Sequence, residues 1–481
     1  MNRRYIFAAT FIFGFTAALI IYFFAWNNYF WFDEGIFVQL VRNIAERGVW
    51  GITIAPDAFF SASLITIGYP VIYPAVAAVR LFGASIATFH VVASLFTLGL
   101  VMMFFLLSRA LYGARMAAWG TLALATFTPL YGNGKSFAGE APALFFLMGA
   151  LLLLAYAERL ERPGALLLLA TGIAFGFAAS AKPTFLVALP ALLAALLWKY
   201  RYMVLTQDGR RATAVVALGV CGALAFWLWT QFGGASLARI FAHYANPYYI
   251  ADFWPLISAN LKRFFTESTP AHLAVLFVAS AAFLGWKMRR REPVRMAEIA
   301  AFVFALLTLV FYVRTEGWYR YFFPAHVTLL LFLAPVAWEF VGIFILRAEW
   351  QKRLFVVLIS AAIAIEIPPL ITEARRVRND LPDTIGAELQ ALRDNRRVFF
   401  YNLPQIAARY PSGAFYQYIR MSDNLIVGQE NEQLLAQGEF SVTLVPRISG
   451  PEIARIPSCY MAQDNVGKIF MYRRRLNVPC E

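Results

Sequence analysis

Phe32-Asp33-Glu34 sets two carboxylates just past the first long apolar run of the chain, with Phe30 and Trp31 beside them and an amphipathic stretch, Gly35 to Arg47, behind them. Charge at the mouth of a membrane bundle is costly, so its presence there calls for a function. Aromatic side chains at interface depth allow such a site to meet a molecule whose head is in water and whose tail is in lipid. Similar groups recur in the turns between later apolar runs. Tyr131-Gly-Asn-Gly-Lys135-Ser-Phe-Ala-Gly-Glu140 brings a lysine and a carboxylate, Ala181-Lys182-Pro183 brings a lysine, and Arg314-Thr-Glu-Gly-Trp-Tyr319-Arg320-Tyr321, followed by Pro324, brings an arginine.

Basic residues in short outward loops oppose the positive-inside bias, so each needs a reason to be there, and an anion at that depth supplies one. Lys182 as a point charge and Arg320 as a planar fork match a phosphate held at the membrane surface, where the local dielectric is low. Asp33 or Glu34 could withdraw a proton from an acceptor hydroxyl or hold a divalent cation, and either promotes attack at a sugar carbon bearing a phosphate leaving group. Plainer readings stand beside these. Asp33 could cap a helix starting near Glu34, and Glu140 could simply favour a helix N-terminus. Lys135 and Lys182 could snorkel, and Arg320 could be an interfacial anchor. His243, in Phe241-Ala-His-Tyr-Ala-Asn-Pro-Tyr-Tyr, could be an ordinary loop histidine.

The elements that must position these residues are membrane spans. A mean hydropathy of +0.61 with only 15% charged residues describes an α-helical polytopic membrane protein. The net charge of +14 does not point to nucleic acid, because the basic residues fall in short clusters between apolar runs: Arg3/Arg4, Arg109/Arg115, Arg159/Arg162, Lys199 to Arg211, Lys287 to Arg295 and Arg347 to Arg353. Those clusters give about eleven transmembrane helices, near 5–26, 86–107, 116–131, 141–157, 165–180, 184–198, 212–231, 271–286, 297–313, 323–346 and 354–371. With the N-terminus in the cytoplasm, odd parity places the chain from about 372 outside. The first run has no small-residue cleavage site before the Trp26 to Phe32 belt and reads as a retained helix. Gly68 to Phe82, broken by Pro70 and Pro74, is expected as a juxtamembrane or re-entrant segment.

This divides the chain into a transmembrane domain, 1–371, with large outer loops at 27–85 and 232–270, and a small outer α/β domain, 372–481. In the latter, Arg397 to Tyr401, Phe440 to Val445 and Lys468 to Tyr472 read as strands and Thr384 to Arg393 as a helix. Cys221 falls within a span as expected packing, whereas Cys459 and Cys480 share the outer domain, where a disulfide is chemically permitted. Three cysteines without a CxxC pair and four histidines, His90, His243, His272 and His326, argue against a structural metal site.

The order of these features resembles the GT-C superfamily of lipid-phosphate-dependent glycosyltransferases, in the bacterial branch similar to protein O-mannosyltransferases, lipid A aminoarabinose transferases and rhizobial galacturonosyltransferases. The residues that carry the resemblance are Trp31-Phe32-Asp33-Glu34, Gly68-Tyr-Pro-Val-Ile-Tyr73-Pro74 ahead of Arg80-Leu-Phe-Gly83, Lys182-Pro183, and Arg320-Tyr321 with Pro324. They extend over about two-thirds of the chain. The resemblance implies an inverting transfer of one sugar from a polyprenyl-phosphate donor to a periplasmic acceptor (lipid A, an envelope glycan or a protein) by a multi-pass protein of the bacterial inner membrane. Asp33 would match the family's essential first-loop aspartate, with Glu34 beside it. Lys182, Arg320 and Tyr321 would meet the donor phosphate, and Glu140, Lys135, Tyr73 and His243 the sugar or acceptor. Glu140 stands where relatives more often carry aspartate. His243 lies in the loop where some aminoarabinose transferases hold a metal-contacting histidine, which makes a divalent cation a candidate cofactor. The outer domain would resemble the family's variable C-terminal domain.

Three other readings fit parts of the pattern. A lipid-linked glycan flippase or export component would need polar residues deep in its spans, and few interior charges are present. An O-antigen-ligase-like enzyme would use a diphosphate donor and a large arginine-rich loop between late spans, whereas the largest loop here is the first. A scaffold role gives no account of Asp33, Glu34, Lys182 and Arg320 on one face.

Overall fold

In lipid an apolar run satisfies its backbone by coiling on itself, and the computed structural model of the protein is mostly helical. It describes residues 3–25, 30–133, 137–200, 207–232, 238, 250, 252–316, 319–345, 347–379, 384–422, 425–447, 450–466, 469–475 and 478–480. The helices are α1 (Arg3–Ala25), α2 (Phe32–Arg47), α3 (Tyr69–Phe82), α4 (Ile86–Tyr112), α5 (Ala114–Thr126), α6 (Thr128–Asn133), α7 (Glu140–Arg159), α8 (Ala165–Ala181), α9 (Ala188–Tyr200), α10 (Gln207–Phe232), α11 (Trp254–Thr266), α12 (Ser268–Arg289), α13 (Met296–Tyr312), α14 (Phe323–Phe344) and α15 (Ala348–Asn379). Among the described residues six helices, α4, α7, α10, α12, α14 and α15, are long and apolar enough to cross a membrane, and α3, α8 and α13 are apolar but shorter. The expected run 116–131 is broken: α5 stops at Thr126, Phe127 is extended, and α6 restarts with Pro129 in its first turn, where a missing N–H costs nothing. α3 is one 14-residue helix with Pro74 inside it, too short for a hydrocarbon core of ~30 Å at ~1.5 Å per residue.

Charged residues gather in the turns at helix ends, acids pairing with bases. Glu140 opens α7 and Arg159 closes it, Lys182 follows α8, and the 3-10 turn Tyr319–Tyr321 leads into α14. At the far end α7, α9, α12 and α13 are braced by buried charge. Lys287 Nζ donates to both oxygens of Glu298, at 2.9 and 2.8 Å, and Glu298 Oε2 also accepts from the Arg295 N–H that begins α13. Glu158 Oε2 accepts from Met296 N, and its Oε1 pairs with Lys199 at 3.9 Å. Glu298 is 0% exposed. Removing one partner of a buried pair strands the other charge, at a cost of about 3–5 kcal/mol. Lys287→Met should therefore lower the midpoint of unfolding in detergent steeply, and adding Glu298→Gln should recover most of the loss. A single variant as stable as wild type would contradict the brace.

Beyond α15 lie α16 (Thr384–Ala391), β3 (Val398–Tyr401), α17 (Pro404–Ala407), β4 (Tyr416–Ser422), β5 (Leu425–Val427), α18 (Glu430–Ala436), β6 (Val442–Pro446), α19 (Gly450–Ile453), β7 (Tyr460–Val466) and β8 (Ile469–Arg474). β1 (Gly51–Ala55) and β2 (Ala58–Ser61) form a separate hairpin between α2 and α3. The six-stranded sheet runs β5-β4-β3-β6-β8-β7, with β3 parallel to β4 and β6 and the outer pairs antiparallel. Alternation along β3 splits its side chains between two cores. Val398 and Phe400 pack with Leu389 and Ile406, and Phe399 and Tyr401 with Leu435 and Phe440. This is the expected α/β fold. Cys459 and Cys480 form a disulfide. Cys221 differs from expectation, since it sits on the exposed face of α10 and not in the packing between helices.

α2 also departs from its amphipathic reading. Its polar residues Gln39 and Asn43 are buried, because the hairpin and the C-terminal sheet close over the face that would otherwise be wet. Gln39 Nε2 donates to Pro404 O at 3.0 Å, Gln417 Nε2 to Gln39 Oε1 at 2.7 Å, and Asn431 Nδ2 to Ile54 O at 2.9 Å. Arg42 Nη1 and Nη2 donate to Tyr410 O and Pro411 O at 2.7 and 2.8 Å. The contact leaves no room at Gly35, where a Cβ would lie 2.3 Å from Gln405 Cα. Overpacking of this kind costs about 1–3 kcal/mol, and backbone cannot rotate away as a side chain can. Gly35→Ala should detach the sheet domain from α2, read as faster limited proteolysis between α15 and α16 in nanodiscs. Wild-type proteolysis rates would contradict the docking.

Candidate active site

The site begins at the N-terminus of α2. Trp31 caps the helix with extended backbone, and Glu34 reaches back so that its Oε2 accepts from Trp31 N at 2.6 Å. Its other oxygen, Oε1, accepts from Phe137 N at 2.5 Å in the turn before α7. At 3% exposure Glu34 is a buried acceptor for two otherwise orphaned N–H groups. The two acids thus separate. Glu34, and not Asp33, does the capping, and the helix starts at Phe32, two residues before the expected Glu34. Asp33 is left with a different partner. Its Oδ2 lies 2.5 Å from Arg320 Nη1, with the Asp33 side chain 33% exposed and that of Arg320 11%.

Arg320 is framed by rings. Its guanidinium carbon is 6.0 Å from the Trp31 ring centre and 5.3 Å from that of Tyr321, and its Nη2 donates to Tyr321 Oη at 3.4 Å. Tyr321 stacks on Tyr312 at 5.4 Å, and Tyr312 Oη donates to Thr184 O at 3.1 Å, which joins this turn to the one after Lys182.

Lys182 closes the cluster. Its Nζ donates to Ala138 O at 2.6 Å, pairs with Glu140 Oε1 at 3.3 Å and sits 5.5 Å from the Phe37 ring centre on α2. Gly139 takes a φ of 93°, a conformation that strains any other residue, and a Cβ there would press on Lys182 Cδ at 3.2 Å. Burial pushes the Lys182 ammonium below its ordinary value; Glu140 and Asp33 oppose this and Arg320 adds to it. Lys182 therefore feels both carboxylates and the guanidinium, and the four charges act as one group. Glu140 Oε2 is buried without a hydrogen-bond partner, which leaves an acceptor open in the cluster.

Five of the residues singled out from sequence come together here: Asp33, Glu140, Lys182, Arg320 and Tyr321, with Glu34 tying α2 to the turn that leads to Glu140. Tyr73 packs instead with Trp50, Tyr69 and Phe226 on α3 and its neighbours. Lys135 and His243 lie outside the described residues. No group of three or more His, Cys, Asp or Glu side chains able to hold a metal occurs among the described residues, and both carboxylates of the cluster already face a cation. Sequence reasoning missed Phe37 beneath Lys182 and the Ala138 carbonyl. Neither carries a chemical signature, since one is an apolar helix residue and the other a backbone atom.

Residues 70–229 match the family model described as dolichyl-phosphate-mannose-protein mannosyltransferase. No curated protein matches the sequence. Among solved structures, ArnT from Cupriavidus metallidurans bound to undecaprenyl phosphate aligns with a TM-score of 0.60 at 12% identity, covering 96% of this chain and 98% of that one. The Archaeoglobus fulgidus oligosaccharyltransferase in complex with Zn and sulfate aligns at 0.63 and 13% identity, covering 97% and 74%. The same archaeal enzyme, AglB, in complex with an inhibitory peptide and a dolichol-phosphate aligns at 0.59 and 12%. The chain therefore has, over nearly its whole length, the fold of these solved structures, and residues 70–229 match the mannosyltransferase family model.

Proposed function

We propose that the protein is an inverting glycosyltransferase that moves one sugar from a polyprenyl-phosphate donor to a hydroxyl acceptor. The observation that carries this reading is the four-charge cluster in which Asp33, one-third exposed, faces Arg320, and Lys182 faces Glu140 at the convergence of four turns. Asp33 takes the proton from the acceptor hydroxyl as its oxygen attacks the anomeric carbon. The bond from that carbon to the phosphate oxygen breaks, and its electron pair leaves with the phosphate. Arg320 and Lys182 neutralise the departing phosphate in a partly dry setting, where fixed charges act strongly. Donor phosphate competes with Asp33 for Arg320, so donor binding itself frees the carboxylate to act as base. Glu140 holds Lys182 in place and offers its open oxygen to a hydroxyl of the sugar or acceptor.

ArnT and the archaeal oligosaccharyltransferase with lipid phosphates in their structures support the donor class. The latter is also seen in complex with zinc, but among the described residues no group of three or more His, Cys, Asp or Glu side chains could hold a metal, and no step uses one. The basic far end of the bundle supports a cytoplasmic assignment for that end, which puts the cluster and the sheet domain, residues 372–481, on the periplasmic side of a bacterial inner membrane. The acceptor is then an envelope component: lipid A, a glycan or a protein hydroxyl. The test is transfer by purified protein in nanodiscs, supplied with labelled polyprenyl-phosphate sugars and an envelope extract. A labelled product supports the reading and names the sugar, and silence from a folded protein across all monophosphate donors sinks it.

A further inference from the structure

The turn that carries Arg320 rests on three polar rings that the proposed reaction does not use, one of them, His326, fully buried and the other two, Tyr319 and His272, half-buried. Tyr319 Oη lies 2.6 Å from His326 Nδ1, and His326 Nε2 lies 3.1 Å from His272 Nδ1. His326, in the first turn of α14, is 0% exposed, and its ring centre is 4.6 Å from that of Phe127. His272 stands in the first turn of α12. Phe322 N donates to Tyr319 O at 2.9 Å and closes the turn.

Burial, with the Glu366 carboxylate adding to it, pushes the Tyr319 hydroxyl well up, so the phenol stays protonated. With the phenol as donor, His326 accepts at Nδ1, carries its own proton on Nε2 and donates to His272 Nδ1; the other tautomer of His326 runs the same chain in reverse. Each ring fixes the tautomer of the next, and the chain runs from α12 through α14 to the residue adjoining Arg320. Apolar side chains would fill the same volume without the risk of stranding a polar atom. What the polar chain adds is direction. We propose that His272 and His326 are positioning residues which, through Tyr319, hold the 319–322 turn so that the Arg320 guanidinium is aimed for donor phosphate. This inference rests on the reaction proposed above.

Tyr319→Phe removes one hydroxyl and no ring volume. In nanodiscs, amide hydrogen exchange over 319–322 should rise roughly ten-fold in Tyr319→Phe and in His326→Phe, the effect of losing one hydrogen bond. His326→Asn, whose Oδ1 can replace Nδ1 as acceptor, should restore most of the protection. The donor KM should rise by a similar factor in the first two variants and recover in the third, with kcat changing less. Unchanged exchange in Tyr319→Phe of wild-type thermal stability overturns the proposal. Faster exchange with an unchanged donor KM also overturns it, leaving a structural strut. Should His326→Phe fail to fold, Tyr319→Phe decides alone. Exchange needs no turnover, so a silent wild-type transfer assay would defeat the proposed reaction and still leave the hold on the turn to be read.

Discussion

Asp33→Asn should lower transfer by about 10²- to 10⁴-fold, the range expected when a positioned general base is lost, while the protein stays inserted and folded. Local structure separates these two effects. The cap of α2 is Glu34, buried and bonded to Trp31 N and Phe137 N, so amidation of Asp33 leaves the helix start intact. Asparagine keeps the shape of the side chain and can still accept from Arg320 through its carbonyl oxygen, but it cannot carry away a proton. Donor binding should hold or improve, because phosphate no longer competes with a full negative charge for Arg320. The check is a set of initial rates and donor affinities beside a thermal unfolding curve. Retained turnover would return Asp33 to the plain role of partner to Arg320, and lost turnover with lost stability would make it a fold residue.

Lys182→Ala should raise the apparent donor KM by about 10- to 100-fold, as expected for losing one charge-assisted contact to phosphate worth about 1.5–3 kcal/mol. This variant also strands Glu140, whose side chain is 5% exposed, so stability falls with it. Lys182→Ala combined with Glu140→Gln separates the two effects. The pair should regain most of the stability, since no buried charge is left alone, while donor affinity stays weak. Titration with undecaprenyl phosphate reads this without turnover. A normal donor affinity in either protein would remove Lys182 from the phosphate site and leave it as a link between the two outer turns and α2.

The legibility of this chain follows physical lines. Long apolar runs announce themselves, because lipid leaves only the helix open to them, and the four charged turns were visible because charge at a span end is rare. Which charge pairs with which was not visible. Asp33 and Arg320 are 287 residues apart, and only the packing of α2 beside the turn before α14 brings them to 2.5 Å. Glu34 looked like half of a catalytic pair because residue type does not show that both its oxygens face backbone N–H groups. In the sheet domain, the strands read from sequence, β3, β6 and β8, are consecutive neighbours in the sheet, whereas β4, β5 and β7 flank them. Of the flanking strands, β4 and the edge strand β7 carry mixed sequences, the latter with Gln463, Asp464 and Asn465, and β5 is apolar but only three residues long, Leu425–Val427. The burial of Gln39 and Asn43 was hidden too: their partners lie in β1, α17 and β4, and polar residues on a helix otherwise point to water.

The central claim is that a lipid monophosphate is the leaving group and that one sugar moves with inversion. Single-turnover reactions with defined α- and β-linked polyprenyl-monophosphate and diphosphate sugars, with NMR assignment of the product anomer and quantification of the released lipid, test it most directly. The account predicts one polyprenyl monophosphate released per sugar transferred, inverted configuration in the product, and no reaction from diphosphate donors. Turnover from diphosphate donors alone, or retention of configuration, would contradict it.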